Sequence, residues 1–397
     1  MKIINQLPRQ AHFLLIPLSF FLITACPDPP ETIDCGTHQV EVNGDCECEE
    51  GYHWDEDQSK CLMDTTSHNF TWEIDTLGSG LNGSFLLDVS GIDEDNVWAV
   101  GEIFTNKPDS TSGTENSSYN SAYWNGNDWK LEKIQVPPYY FYSKRTSIYT
   151  VALNDVWMGS TMPTHWNGVE WQGFNDWQNG WDFNGYIKAI WGNSSSNIYF
   201  IGKDGGIVHY DGNTFTKMES GTDIDLISIS GTGPDNVWIC GWDYEESVLL
   251  HFDGNDWSKL LIQNQYLIPE SDNLTGPITS VYTDDPDSVW ALTPFGIYRA
   301  HKNTDGKAIL IRPPTPITDT WYGFPLHMGG KNHNDIFITG YYTTVWHYNG
   351  KSFHHYDELS GSGPILESAV IGNQVFLVGA SYTTTHALVY RGTRFNP

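Results

Sequence analysis

Two short phrases recur along most of this chain, and their recurrence limits the fold more tightly than any composition figure does. The first phrase is an apolar strand, an Asp/Asn-rich turn and a second apolar strand, as in FLLDVSGIDEDNVWAVGE. Its core is a Val/Ile–aromatic pair that returns at Val97-Trp98, Val156-Trp157, Ile198-Tyr199, Val237-Trp238, Val289-Trp290, Ile336-Phe337 and Val375-Phe376, at intervals of 39 to 59 residues. The second phrase is strand, Asn-Gly turn, strand, as in SAYWNGNDWKLEKI. It returns as HWNG from His165, HYDG from His209, HFDG from His251, HYNG from His347 and VYRG from Val389. The unit around Ile297 to Gly306 keeps only a degraded copy.

Seven units of roughly 40–50 residues, each with four short strands, predict an all-β fold: a seven-bladed β-propeller of four-stranded blades. β-Branched and aromatic runs fit a pleated, half-buried surface. Asn-Gly and Asp-Gly pairs supply the positive φ that tight hairpins need. No segment beyond Cys26 shows a sustained apolar period of 3.6, so almost no helix is expected. A β-sandwich would leave the sevenfold repetition unexplained. The last unit stops at Arg394 to Pro397, where a fourth strand should begin, while NFTWEID (69–75) reads like the fourth-strand segment NDWKLEK of the first unit. That N-terminal segment is predicted to complete the seventh blade and cover its edge.

Ahead of the repeats, residues 1–25 carry Lys2 and Arg9, an apolar run from Phe13 to Ile23 and a small-residue end, the pattern of a secretory signal. Ile23-Thr24-Ala25-Cys26 resembles a lipobox, which implies a bacterial lipoprotein with Cys26 as the lipidated first residue. No other stretch reaches ~18 apolar residues, so lipid is the only membrane contact expected. Cleavage would remove two positive charges and no negative one, taking the net charge from −29 to −31. A chain so acidic is a poor match for phosphate backbones, which disfavours nucleic acid as a partner.

A Pro/acidic tether (26–34) leads to Cys35, Cys46, Cys48 and Cys61. So small a segment (35–61) needs covalent staples, and an exported address permits disulfides. Cys46-x-Cys48-x-x-Gly51-Tyr52 followed by Cys61 resembles the C-terminal half of an epidermal growth factor-like module, with four cysteines where such modules have six. Three connectivities stay open; Cys48–Cys61 with Cys35–Cys46 is the favoured one. Zinc is the rival, disfavoured by Cys-x-Cys spacing. Residues 62–69 form a linker and 70–397 the propeller. Cys240, in mid-strand, reads as an inert buried thiol.

The insertions fall at 102–121, 136–145, 173–185, 263–276 and 312–322. With strands lettered A to D outward, the first joins B to C and the others join D to the next A. Both loop types emerge on one face, and long loops on a rigid scaffold are where binding usually resides. Two insertions are rich in rings: PPYYFY before Lys144 and Arg145, and the stretch from Trp171 to Tyr186. Tyr139, Tyr140, Tyr142, Trp177 and Trp181 are therefore the candidate ligand-binding residues, suited to stacking on sugars or anchoring a protein. The rival reading packs these rings between blades.

His165, His209, His251 and His347 share one register in four blades, which argues for a repeated structural role rather than a metal site. Asp93, Glu94, Asp95, Asp284, Asp285 and Asp287 lie in tight turns, where Asp favours local hydrogen bonds. Weak Ca²⁺ binding there is the only cofactor chemistry left open, since the full D-x-[DN]-x-[DN]-G pattern is absent. The G-x-G-x-x-G match at Gly78 to Gly83 runs into a strand, not a helix. No H-E-x-x-H, G-x-S-x-G or P-loop occurs, so no catalytic residue is assigned and a non-enzyme is expected.

Residues 70–397 resemble the tryptophan-rich "DVWAVG…WDGxxW" propellers of exported bacterial proteins and lipoproteins, a group with little assigned chemistry. The resemblance implies a lipid-anchored protein of the bacterial envelope, at the outer membrane or cell surface. The leading expectation is a protein-interaction or scaffold module with an envelope or extracellular partner. The alternative is a lectin-like glycan-binding module; a polysaccharide hydrolase or lyase ranks third and would need a carboxylate or His cluster at the mouth of the central channel.

Overall fold

In the computed structural model, the described residues are 35–395 apart from 37–38, 43–44, 50–51, 56–58, 64, 80–82, 107–116, 137–142, 175–184, 264–275, 303–307, 312–323 and 360–362. Two small hairpins come first: β1 (Gln39–Val42) with β2 (Asp45–Cys48), then β3 (Tyr52–Asp55) with β4 (Lys60–Met63). Disulfides join Cys35 to Cys46 and Cys48 to Cys61. β5 (Phe70–Leu77) follows.

Seven four-stranded antiparallel sheets then form the propeller. Blade 1 is β6 (Phe85–Asp93), β7 (Asn96–Thr105), β8 (Ser117–Trp124) and β9 (Trp129–Glu132). Blade 2 is β10 (Ser147–Ala152), β11 (Asp155–Gly159), β12 (Thr164–Trp166) and β13 (Trp171–Gly173). Blade 3 is β14 (Ile187–Ser194), β15 (Asn197–Gly202), β16 (Ile207–Tyr210) and β17 (Phe215–Met218). Blade 4 is β18 (Leu226–Gly233), β19 (Asn236–Trp242), β20 (Glu246–Phe252) and β21 (Trp257–Gln263). Blade 5 is β22 (Ser280–Asp285), β23 (Ser288–Thr293), β24 (Gly296–His301) and β25 (Ala308–Ile311). Blade 6 is β26 (Pro325–Asn332), β27 (Asp335–Gly340), β28 (Thr344–Tyr348) and β29 (Phe353–His355). Blade 7 is β30 (Ile365–Ile371), β31 (Gln374–Ala380) and β32 (Ala387–Arg394), with β5 as its outer strand.

The closing pair runs antiparallel from Ala387↔Leu77 to Arg394↔Phe70. Here the repeat departs from its pattern. VYRG does not make a turn, because β32 continues straight through it to meet a strand that arrives from the other end of the chain. Gly392 instead gives room to Trp72, whose ring would lie 2.7 Å from a Cβ at that position. In five other blades the glycine of the second phrase does turn, with φ of +88° to +95° at Gly126, Gly168, Gly212, Gly254 and Gly350. The preceding Asn or Asp locks the hairpin: Asp211 Oδ1 accepts from Asn213 N at 2.8 Å and Thr214 N at 2.7 Å.

The B strands are the driest elements; every residue of β11, β23 and β27 is buried. Each is flanked by A and C in its own sheet and by neighbouring blades on both faces, which explains its unbroken apolar run. The aromatic of each Val/Ile–aromatic pair wedges against the next blade. Trp157 packs with Phe200 and Val208 of blade 3, and Phe337 with Val375 and Leu377 of blade 7. A fully buried ring of this kind removes ~150–250 Å² from water, worth about 4–6 kcal/mol as an upper bound.

Candidate functional site

The inner A strands surround a central cavity of about 590 Å³. Neighbouring A strands are clasped by side chains rather than by a backbone ladder. Ser228 Oγ accepts from Val281 N and Ser280 Oγ from Met328 N, both at 3.1 Å, and Asp88 Oδ2 accepts from Ile148 N at 2.8 Å. Ser90 and Ser230 make the same clasp one pleat further along.

Three of these equivalent inner positions carry ionisable groups, and they fall on three consecutive blades. His327, Glu367 and Asp88 are all paired with the B-strand residue three past the Val or Ile of the pair. His327 Nε2 forms an ion pair with Glu367 Oε1, with each side chain about a fifth exposed. Asp88 Oδ1 also accepts from its own Val89 N at 2.7 Å. Burial, and next the charge of Glu367, hold the Asp88 carboxyl well above the ordinary carboxylate range, against the pull of those two N–H donors. Gly329 keeps space beside this group, since a Cβ there would lie 2.7 Å from His327 Nε2 and 2.8 Å from Ser368 Oγ. Lys188 lines the same channel. The arrangement is one carboxyl group facing an imidazole and one further carboxyl that resists ionisation.

Sequence reasoning missed this trio, although a signal existed. Aligned on the aromatic pair, His327 and Asp88 both lie nine residues before it and Glu367 eight. Inner-strand side chains at one register do converge, because the ring is narrowest there. The four histidines of the second phrase lie in the C strands, where the ring is wide, and each makes a local contact. His165 stacks on Trp157 at 4.1 Å, His209 on Tyr199 at 4.5 Å, His251 on Trp238 at 4.2 Å and His347 on Phe337 at 4.6 Å. Their Nε2 atoms reach the first residue of the B strand, at Asp155, Asn197, Asn236 and Asp335, over 2.7–3.0 Å. Among the described residues no cluster of three or more His, Cys, Asp or Glu is arranged to hold a metal ion.

The five ring residues singled out from the sequence, Tyr139, Tyr140, Tyr142, Trp177 and Trp181, lie outside the described residues, as does Cys26. The strand order places all five insertions between B and C of blade 1 or between D and the next A. The rims of two of them touch, with Lys144 Nζ 5.0 Å from the Tyr186 ring centre. Two residues at the edges of those loops have structural places. Arg145 is buried and donates from Nη1 to Thr164 Oγ1 at 2.9 Å and from Nη2 to the Ile134 carbonyl at 3.3 Å. Trp171 belongs to the outer strand of blade 2. Cys240 is fully enclosed, and burial pushes its thiol far above the usual range.

A second cavity, of about 520 Å³, runs along the seam between blades 1 and 2 and is lined by Trp98, Tyr123, Glu132, Trp166 and Trp171 among others.

No family model matches the chain, and no curated protein matches it. Solved structures do. YCF48 bound to a D1 peptide is similar at 12% identity and a TM-score of 0.58, over 82% of this chain and 95% of that one. A catalytically inactive virginiamycin B lyase from Staphylococcus aureus, solved with quinupristin, is similar at 13% identity and a TM-score of 0.54, over 82% and 100%. The WD40 propeller domain of Doa1 is similar at 13% identity and a TM-score of 0.54, over 83% and 98%. At such identities the likeness speaks for architecture and not for activity: this chain is an all-β, seven-bladed propeller with two disulfides in its N-terminal region.

Proposed function

We propose that this chain is a lipid-anchored protein of the bacterial envelope whose propeller holds an envelope or extracellular protein partner on its long-loop face. The observation that carries the reading is the placement of all five insertions on that face, while the A–B turns opposite stay tight. A closed ring of seven sheets is a stiff base on which long loops can vary. Similar propellers include one bound to a peptide, which supports a protein partner here. The anchor rests on Cys26 and the segment before it.

The test is a photo-crosslinking residue placed at Lys144 or Tyr186, with Asn127 on the opposite face as control, in cells making the full-length protein. A discrete adduct from the first two positions and none from Asn127 supports the reading. No adduct, or equal labelling from both faces, overturns it. Labelled palmitate incorporated by the parent protein and lost in Cys26→Ser supports the anchor.

A lectin-like module is the second reading, resting on the ring-rich loops; a glycan array with a Trp177→Ala/Trp181→Ala control separates the two. The channel trio is the one feature that favours a hydrolase or lyase, and it stands third because the clasp made by Asp88 is also made by serines in blades that carry no ionisable group at that register.

A further inference from the structure

The seven rings of the Val/Ile–aromatic pair are repeats of one another, and six are sealed by the next blade. Trp157, Tyr199, Trp238, Trp290, Phe337 and Phe376 are at most 4% exposed. Trp98, the seventh, is only half-buried. Blade 2 is the reason. Its C and D strands are three residues each, where those of blade 4 are seven each, so less sheet lies over the seam. The cleft of about 520 Å³ is the space left.

Its walls are rings set across one another. Trp98 meets Trp171 edge to face, with centres 5.8 Å apart at 89°. Trp166 and Trp171 stand at 5.6 Å and 45°, and Trp98 and Tyr123 at 4.8 Å and 45°. Glu132 lines the same cleft, and burial pushes its carboxyl above the ordinary range, a shift that a neighbouring cation would oppose. The Tyr123 hydroxyl is tied to Asn96 Oδ1. Burial, and then the charges of Asp93, Glu132 and Asp95, push that phenol up, so the field at this wall is negative. Crossed aromatic faces are negative at their centres, and with an added carboxylate they attract a cation more than a neutral ring or an anion.

We propose that the cleft between blades 1 and 2 is an aromatic cage for a cationic side chain, the ammonium or guanidinium of a basic residue on a peptide partner. The site is lined from the short-turn side, through Ile92 and Leu153, and so does not depend on the long-loop face.

The test is tryptophan fluorescence of the full-length protein at about 150 mM salt. The titrants are a blocked lysine tetrapeptide, the same peptide acetylated on every Nζ, and cellotetraose. Saturable quenching by the lysine peptide is expected, weakened roughly tenfold by acetylation and by Trp98→Ala or Glu132→Gln. Should Trp98→Ala fail to fold, Trp98→Phe with Glu132→Gln decides. Equal binding of the lysine and acetyl-lysine peptides, saturation by cellotetraose instead, or unchanged affinity in Glu132→Gln overturns the cage. Because the readout is separate from crosslinking at Lys144 and Tyr186, loss of one leaves the other standing.

Discussion

His68 and His347 meet nitrogen to nitrogen, Nδ1 to Nδ1 at 2.8 Å, and so tie the chain entering the closing strand to blade 6. His347 Nε2 reaches Asp335 Oδ1 at 3.0 Å, which makes Nε2 the protonated nitrogen and leaves Nδ1 to accept. His68 then donates from Nδ1, while its Nε2 accepts from Ser352 Oγ at 3.0 Å. A hydrogen on both Nδ1 atoms at once would break the contact, so the pair cannot be doubly protonated. Burial, then the charges of His347 and His354, lower the His68 pKa from 6.5 to about 4.

A histidine with a lowered folded pKa binds fewer protons when folded, so its contribution is whole above about pH 6.5 and drains away as pH falls toward 4. The ceiling is about 3 kcal/mol, reduced to about 1–2 kcal/mol because the ring is partly solvated. Melting curves from pH 7.5 to 4 should show this slope, and His68→Asn should flatten part of it. An identical slope in the variant would remove His68 as the cause.

Closure predicts a large effect from a short deletion. β5 brings Trp72 against Tyr356, ring centres 5.1 Å apart, and places Glu73 and Asp75 beside Arg391, which also lies 4.2 Å from the Trp124 ring centre. Removing residues 62–76 would bare the β32 edge and should lower the melting midpoint by roughly 10 °C or more. A calorimetric midpoint within about 2 °C of the parent would refute the role.

The stacked histidines predict a stability loss without any metal signature. His251 stacks on Trp238 and reaches Asn236 Oδ1 at 2.9 Å. His251→Ala should cost about 1–3 kcal/mol in denaturant unfolding. A chelator should leave the parent curve unchanged, and a shift on adding it would reopen the metal reading.

Asp88 predicts the opposite sign of pH dependence. Its raised folded pKa means the folded state holds the proton longer, so stability falls as pH rises through the unfolded value of 3.8 toward the folded one. Asp88→Ser keeps the clasp to Ile148 N that serine makes in blades 4 and 5. It should raise the midpoint at pH 8 by about 1–3 °C and give little gain at pH 4. A lower midpoint at pH 8 would show that the carboxylate itself is required.

The blade count was legible because each unit carries its own turn chemistry. In the second phrase, Asn or Asp before Gly produces the same hairpin in blade after blade, as at Asn125, Asp211 and Asp253, where the side chain accepts from the N–H groups two and three residues on. The stacking histidines were legible for the same reason. VYRG was misleading, since Gly392 answers to Trp72 on a strand more than three hundred residues away, and no local pattern encodes that contact. The sites were harder. His327, Glu367 and Asp88 share a register ahead of the aromatic pair, but they become neighbours only because three inner strands stand side by side. Trp98 stands at the same place in the repeated phrase as its six counterparts, yet it is the one left half-buried, where it faces the blade with the shortest C and D strands.

By itself the sequence determined the sevenfold repeat and the turns, because these follow from local periodicity and local hydrogen bonding, and it marked the closing strand by that strand's likeness to the fourth strand of the first unit. Only the tertiary structure decided which ionisable groups face one another across the channel and which ring is left open at a seam. Those outcomes depend on ring radius and on the lengths of adjoining sheets, which are properties of the assembled circle and of no single blade.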